Sequence, residues 1–134
     1  MRAPFALTVD VEEYFHVQAF AALVPMAAWE DFPARVVDAT CRILDLLAAR
    51  GARATFFVLG RVARRHPALI RRIASEGHEI ASHGFHHQLV YRQSPAAFRA
   101  DVRDSRALLE DISAIPPSGP MCGIAERYSK TSRL

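Results

Sequence analysis

Strand-like runs alternating with helical ones place this 134-residue chain in the α/β class, built on a parallel sheet. Three observations predict it. Short apolar runs rich in β-branched and aromatic residues stand at 5–9, 54–59 and 78–82. Segments with helical spacing follow them at 33–50, 61–76 and 94–112, and Gly51, Gly60 and Gly77 punctuate the boundaries. Parallel neighbours need long crossovers, which helices supply, so this order implies right-handed connections and a sheet covered on both faces.

The first run ends on Asp10, which reads as a buried strand with acids at its carboxyl end. The following stretch, through Trp29 and Phe32-Pro33, has no sustained period and is expected to be a long loop with a helical turn or two. Val36, Val37, Thr40, Cys41, Leu44, Leu47 and Ala48 then follow helical spacing. They predict an amphipathic helix of about four turns, entered at Pro33 and stopped by Gly51. Residues 54–59 form a second buried strand, closed by Gly60. Residues 61–76 give one or two short helices broken at His66-Pro67, because a residue preceding proline is pushed out of the helical region. Gly77 ends that segment, and a third, shorter strand covers 78–82. Ser94-Pro95 opens a last helix with Phe98, Val102, Ala107 or Leu108, and Ile112 on one face. Residues 1–113 are one domain by this reading. Residues 114–134 carry three prolines and no period, and are expected to be an irregular, non-native or disordered tail.

Composition excludes several classes. Lys and Arg number 17 against 14 Asp and Glu, a net charge of +3, but the arginines are spread over helical surfaces rather than gathered in a stripe, which argues against a nucleic-acid partner. Cys41 and Cys122 are too far apart for a zinc knuckle and too few for a disulfide framework, and Cys41 is expected to pack as a small apolar residue. The longest apolar-rich run, 17–29, is interrupted by Gln18 and Pro25 and falls short of the roughly 20 residues that span a bilayer. With acids at 10, 12 and 13 ahead of any signal-like stretch, the expectation is a soluble, cytoplasmic chain without a membrane span.

Two polar clusters carry the chemistry: residues 8–13, Thr-Val-Asp-Val-Glu-Glu, and residues 82–87, Ser-His-Gly-Phe-His-His. Both fall where a strand runs out, and in sheets of this kind functional groups gather at the carboxyl ends of strands. Four residues bring His83 and His87 to one face of a helical turn, and Gly84 lets the backbone bend between them. Glu12 is the candidate third ligand of a divalent metal, zinc above others, with an open position left for substrate. Asp10 shares the side of the strand that Glu12 occupies, where an unbound carboxylate can take a proton from attacking water. Glu13 faces the other way and is expected to cap a helix or pair with an arginine. Each residue alone has a plainer reading, since strand-end acids often cap loops and spaced histidines often only pack. Two clusters arriving on one rim favour the site. His86 projects away from the pair, His16, His66 and His78 read as structural or solvated, and Phe15, Phe20 and Trp29 as packing for the long loop.

The segments 7–20, 52–60 and 77–94 contain Thr8-Val9-Asp10-Val11-Glu12-Glu13-Tyr14-Phe15-His16-Val17, Ala54-Thr55-Phe56-Phe57-Val58-Leu59-Gly60 and Gly77-His78-Glu79-Ile80-Ala81-Ser82-His83-Gly84-Phe85-His86-His87. These closely resemble the polysaccharide deacetylase family (the NodB-homology domain), most of all the branch encoded with bacterial exopolysaccharide export systems, over about residues 3–113. The resemblance implies a distorted, partly open (β/α) barrel that removes N-acetyl or O-acetyl groups from a glycan with a divalent metal, commonly zinc. It makes Asp10 the general base, His83 and His87 metal ligands, and Glu12 a ligand displaced from the adjacent aspartates of the commoner form. The family's later Arg-x-Pro segment, which orients the base, and its Leu-x-x-His segment, which supplies a general acid, have no counterpart after Ile112. The resulting expectation is a barrel truncated after about three β/α units, with impaired N-deacetylation of an acetylated polysaccharide or oligosaccharide and self-association through the unfinished barrel edge. The alternatives are a catalytically inactive metal-binding remnant and a hydrolase of a carbon-nitrogen bond in a small cyclic amide.

Overall fold

In the computed structural model, which describes residues 6–114, strands and α-helices alternate in the predicted order. Strand β1 (Thr8–Val11) is followed by α1 (Val36–Arg50), β2 (Thr55–Val58), α2 (Gly60–Arg65), α3 (Pro67–Ser75), β3 (Glu79–Ser82) and α4 (Pro95–Ser113). The three strands form one parallel sheet in the order β1-β2-β3. Asp10 stands opposite Phe57, and Val58 opposite both Val11 and Ser82, so the three carboxyl ends finish level with one another. This is the α/β architecture predicted above, the opening portion of a (β/α) barrel. Of the predicted tail, 114–134, all but Ala114 lies outside the described residues.

Local chemistry explains the boundaries. Helix α1 begins at Val36 rather than at Pro33 because its cap comes from afar: the Glu13 carboxylate accepts the Arg35 N–H at 2.9 and 3.1 Å and the Val36 N–H at 3.3 Å. It stops at Gly51, whose left-handed φ of 57° lets the Ala52 N–H turn back to the Leu47 carbonyl. The break between α2 and α3 falls at His66, with Pro67 opening α3. Ser94 caps α4, its Oγ accepting the Ala97 N–H at 3.1 Å. Between β1 and α1 the long loop makes 3-10 turns at Tyr14–His16, Gln18–Phe20 and Met26–Asp31.

Val11, Phe56, Val58 and Leu59 are fully buried against Leu44, Ile70 and Ile73 of the helices, with Leu109 from α4 joining them. Cys41 packs at the margin of this core, as expected. Phe15, Val24 and Trp29 make a second, smaller core with Phe32 under the long loop, while Phe20 is exposed.

Three sequence expectations are corrected. Strand β1 runs two residues beyond the apolar stretch, so Asp10 lies inside it; alternation sends Val9 and Val11 to the core and lets a charged residue between them face away. Among the described residues the sheet is covered on one face only. Thr8, Asp10 and Glu79 on the other face are exposed and Thr55, Phe57 and Ala81 half-buried, because the described helices all pack on the face that carries Val11, Phe56, Val58 and Ile80. On α4 Ile112 is buried and Leu108 packs against the core as predicted, but the buried stripe also takes Ser105 and Leu109, with Phe98 and Val102 only half-buried and Ala107 exposed. Among the described residues no helix is long and apolar enough to cross a membrane.

Candidate metal centre

The carboxyl ends of β1 and β3 deliver Glu12, His83 and His87 to one place, with one ligand atom from each lying within 4.8 Å of the others. His87 Nε2 is 3.2 Å from Glu12 Oε2, and the two histidine rings meet edge to face with centroids 5.1 Å apart. Donor atoms about 2.0–2.1 Å from a tetrahedral ion stand roughly 3.3 Å from each other. The Glu12–His87 separation therefore fits one edge of such a site without rearrangement. Glu12 Oε2 and His87 Nδ1 are buried and have no hydrogen-bond partner among the described residues. The 3.2 Å approach lacks hydrogen-bond alignment, which suits two donors aimed at a shared cation better than at each other.

The histidines reach this arrangement by a different route from the one predicted. Residues 83–89 are irregular, not a helical turn. The His83 N–H donates to the Val58 carbonyl at 3.0 Å, which continues the β2–β3 ladder by one residue and fixes the first ligand. Gly84 then turns at φ 79° and His87 at φ 56°, a left-handed conformation unfavourable for a residue with a side chain. Such strain persists only where the surroundings over-determine it. Here they do: the Gly84 and Phe85 carbonyls accept the Gly60 and Arg61 N–H groups at 2.9 and 3.2 Å, pinning the loop to the start of α2.

Asp10 stands on the open face of β1, exposed, two residues before Glu12 and outside the group whose donor atoms converge. Glu13 turns inward, 4% exposed, to cap α1. His86 pairs with Asp101, Nδ1 to Oδ1 at 3.1 Å, facing away from the ligand pair. His16 is structural: its Nδ1 accepts the Glu13 N–H at 3.0 Å, and its ring packs on Trp29 with centroids 4.4 Å apart. Burial, then repulsion from Arg61 and His87, lowers the His16 pKa from 6.5 to about 4. His78 is likewise buried, accepting the Ala54 N–H on Nδ1. Asp101 and Ser105 of α4, which the sequence did not single out, both contact the histidine loop. The signal was present as a four-residue spacing on the buried side of a helix, but nothing local tied it to residues twenty positions earlier.

A small open cleft lies between Phe15, His16, Trp29, Arg61, Arg65 and His66, and none of the predicted site residues lines it. Arg61 lies over the Trp29 ring at 5.1 Å and bonds Glu30 at 2.8 Å, fastening the long loop to α2.

Comparison with known proteins bears on the family and the fold. A family model described as polysaccharide deacetylase matches residues 25–132, which includes the histidine cluster and leaves out the acids of β1. A chitooligosaccharide deacetylase of Rhizobium leguminosarum bv. trifolii is 38% identical over 77 residues, 58% of this chain and 35% of that protein. A peptidoglycan-N-acetylglucosamine deacetylase of Bacillus cereus is 31% identical over 81 residues, 60% of this chain and 30% of its own length. Among solved structures, the Bc1960 peptidoglycan N-acetylglucosamine deacetylase superposes with a TM-score of 0.64 at 23% identity, over 96% of this chain and 53% of that one, a likeness of fold. A family 4 acetyl xylan esterase from Clostridium thermocellum, in complex with a cobalt ion, gives 0.59 at 29% identity over 84% and 44%. The chain thus spans about a third of the length of these curated relatives and about half of that of the solved ones.

Proposed function

Because the chain belongs to the polysaccharide deacetylase family, we propose that it carries the base- and metal-bearing part of a hydrolase that removes acetyl groups from an acetylated polysaccharide or oligosaccharide, with N-deacetylation as the reaction. The observation that carries this reading is the convergence of one carboxylate and two imidazoles at the ends of β1 and β3. Glu12, His83 and His87 hold a divalent ion, for which zinc suits the donor set and the cobalt ion of the acetyl xylan esterase structure is a precedent. When bound, such an ion supplies Lewis-acid polarisation of the acetyl carbonyl and acidifies a water.

The chain's own residues do the rest. Asp10, two residues before Glu12 on the open face of β1, accepts the proton of the attacking water. The open face of β1, β2 and β3 receives the sugar, with Thr8, Thr55 and Glu79 offering polar groups and Phe57 an apolar surface. The same open face, and the outer edges of β1 and β3 that are unpaired among the described residues, support self-association of the isolated chain, read by sedimentation velocity across a dilution series.

Zinc titration of the wild type and of a His83→Ala/His87→Ala double variant tests the centre; equal affinities would refute it. Acetate release from acetylated chito-oligosaccharides at saturating zinc tests turnover. Asp10→Asn should retain zinc and lose roughly two to four orders of magnitude in rate. A second reading is metal binding without turnover. Bound zinc with no acetate released would select it.

A further inference from the structure

We propose that Asp101 and Ser105, one turn apart on α4, are the positioning residues that hold the 83–87 loop in its ligand-presenting conformation; this rests on reading Glu12, His83 and His87 as a metal centre. Asp101 uses both oxygens, Oδ2 accepting the Phe85 N–H at 2.7 Å and Oδ1 facing His86 Nδ1 at 3.1 Å. It therefore grips the two residues at the crown of the bend between the ligands.

Ser105 closes a ring of hydroxyls and backbone beneath the same bend. Its Oγ donates to the Gly84 carbonyl at 3.0 Å, so the proton shared with Ser82 Oγ at 2.8 Å comes from Ser82. Ser82 Oγ in turn accepts the Gly84 N–H at 3.2 Å. Each hydroxyl donates once and accepts once, and Ser105 is 0% exposed, so no water competes for the ring. Space is matched as well as charge. A Cβ on Gly84 would come 2.9 Å from Asp101 Oδ2, so the carboxylate approaches the loop as closely as it does only because that residue is glycine.

The consequence is preorganisation. The left-handed turns at Gly84 and His87 give the loop no repeating backbone ladder of its own, and contacts from α2 hold only its first half. Without α4 the loop relaxes, and His87 no longer meets Glu12 before an ion arrives. Groups that orient metal ligands typically contribute about 10–100-fold to affinity.

The test uses the full chain and two readouts, zinc affinity and amide exchange at Gly84 and Phe85 in the metal-free protein. Asp101→Ala should weaken zinc binding by about 10–100-fold and speed Phe85 exchange. Asp101→Asn, which keeps one acceptor oxygen, should fall between Asp101→Ala and the wild type and serves if the alanine variant fails to fold. Ser105→Ala should speed exchange at Gly84. Asp104→Ala, on an exposed side chain paired with Arg103, should change neither readout. Wild-type zinc affinity in Asp101→Ala, or unchanged Phe85 exchange, overturns the clamp. If the wild type and the double-histidine variant bind zinc equally, it is the metal reading that fails, and the exchange rates alone then decide the clamp.

Discussion

Glu12 and Glu13 are adjacent and chemically alike, yet one approaches the histidines and the other is buried under α1, because successive side chains at a strand end leave on opposite sides. That division was legible in the sequence. The partner of Glu13 was not, since Arg35 and Val36 lie more than twenty residues away. A buried carboxylate accepting three N–H contacts at a helix start is worth more than an exposed cap. Glu13→Ala should lower stability by about 2 kcal/mol, read from urea unfolding midpoints. His16 carries a pH dependence. Its pKa of about 4 in the fold lies below the ordinary 6.5, so the unfolded chain binds the extra proton first. The stability it contributes is complete above pH 6.5 and is lost as pH falls towards 4, and His66 and His78, also lowered chiefly by burial, act in the same direction. Urea midpoints across that window should fall with acidification, and His16→Gln should flatten the slope.

Among the elements, the junction of β2 with α2 couples the core to the site. A Cβ on Gly60 would lie 2.5 Å from the Phe85 ring, which is itself buried in the histidine loop. Gly60→Ala should displace that ring and cost about 1–3 kcal/mol, with faster amide exchange in the 83–87 loop as the measurement that separates displacement from simple helix stabilisation. Periodicity revealed every strand and α-helix of the described residues, because each buries one side against a common core. It misplaced the end of β1, the entry of α1 and part of the buried stripe of α4. Those depend on hydrogen-bond partners from other elements: β2 for the strand, Glu13 for α1, and the Ser82–Gly84 ring for the serine that sits in the α4 stripe.

For the whole molecule, a ligand that binds only the folded state raises its stability by mass action. Zinc at about one hundred times its dissociation constant should raise the unfolding free energy by about 2.7 kcal/mol, a shift that a chelator reverses and that the His83→Ala/His87→Ala variant lacks. Thermal unfolding with and without zinc checks it. Among the described residues the sheet presents one covered and one open face, so a dense core lies behind a largely polar wall of the kind that lines a barrel.

The α/β class and the element order were determined by the sequence alone, which also singled out Asp10, Glu12, His83 and His87 as candidates. Alternation and helical spacing are local properties, and each acid or histidine cluster is compact along the chain. Tertiary structure alone decided that Glu12 meets His83 and His87, that the histidine loop is a left-handed bend rather than a helical turn, and that α4 contributes Asp101 and Ser105 to it. These depend on strand order, register and helix packing, which join residues tens of positions apart through contacts that no local pattern encodes.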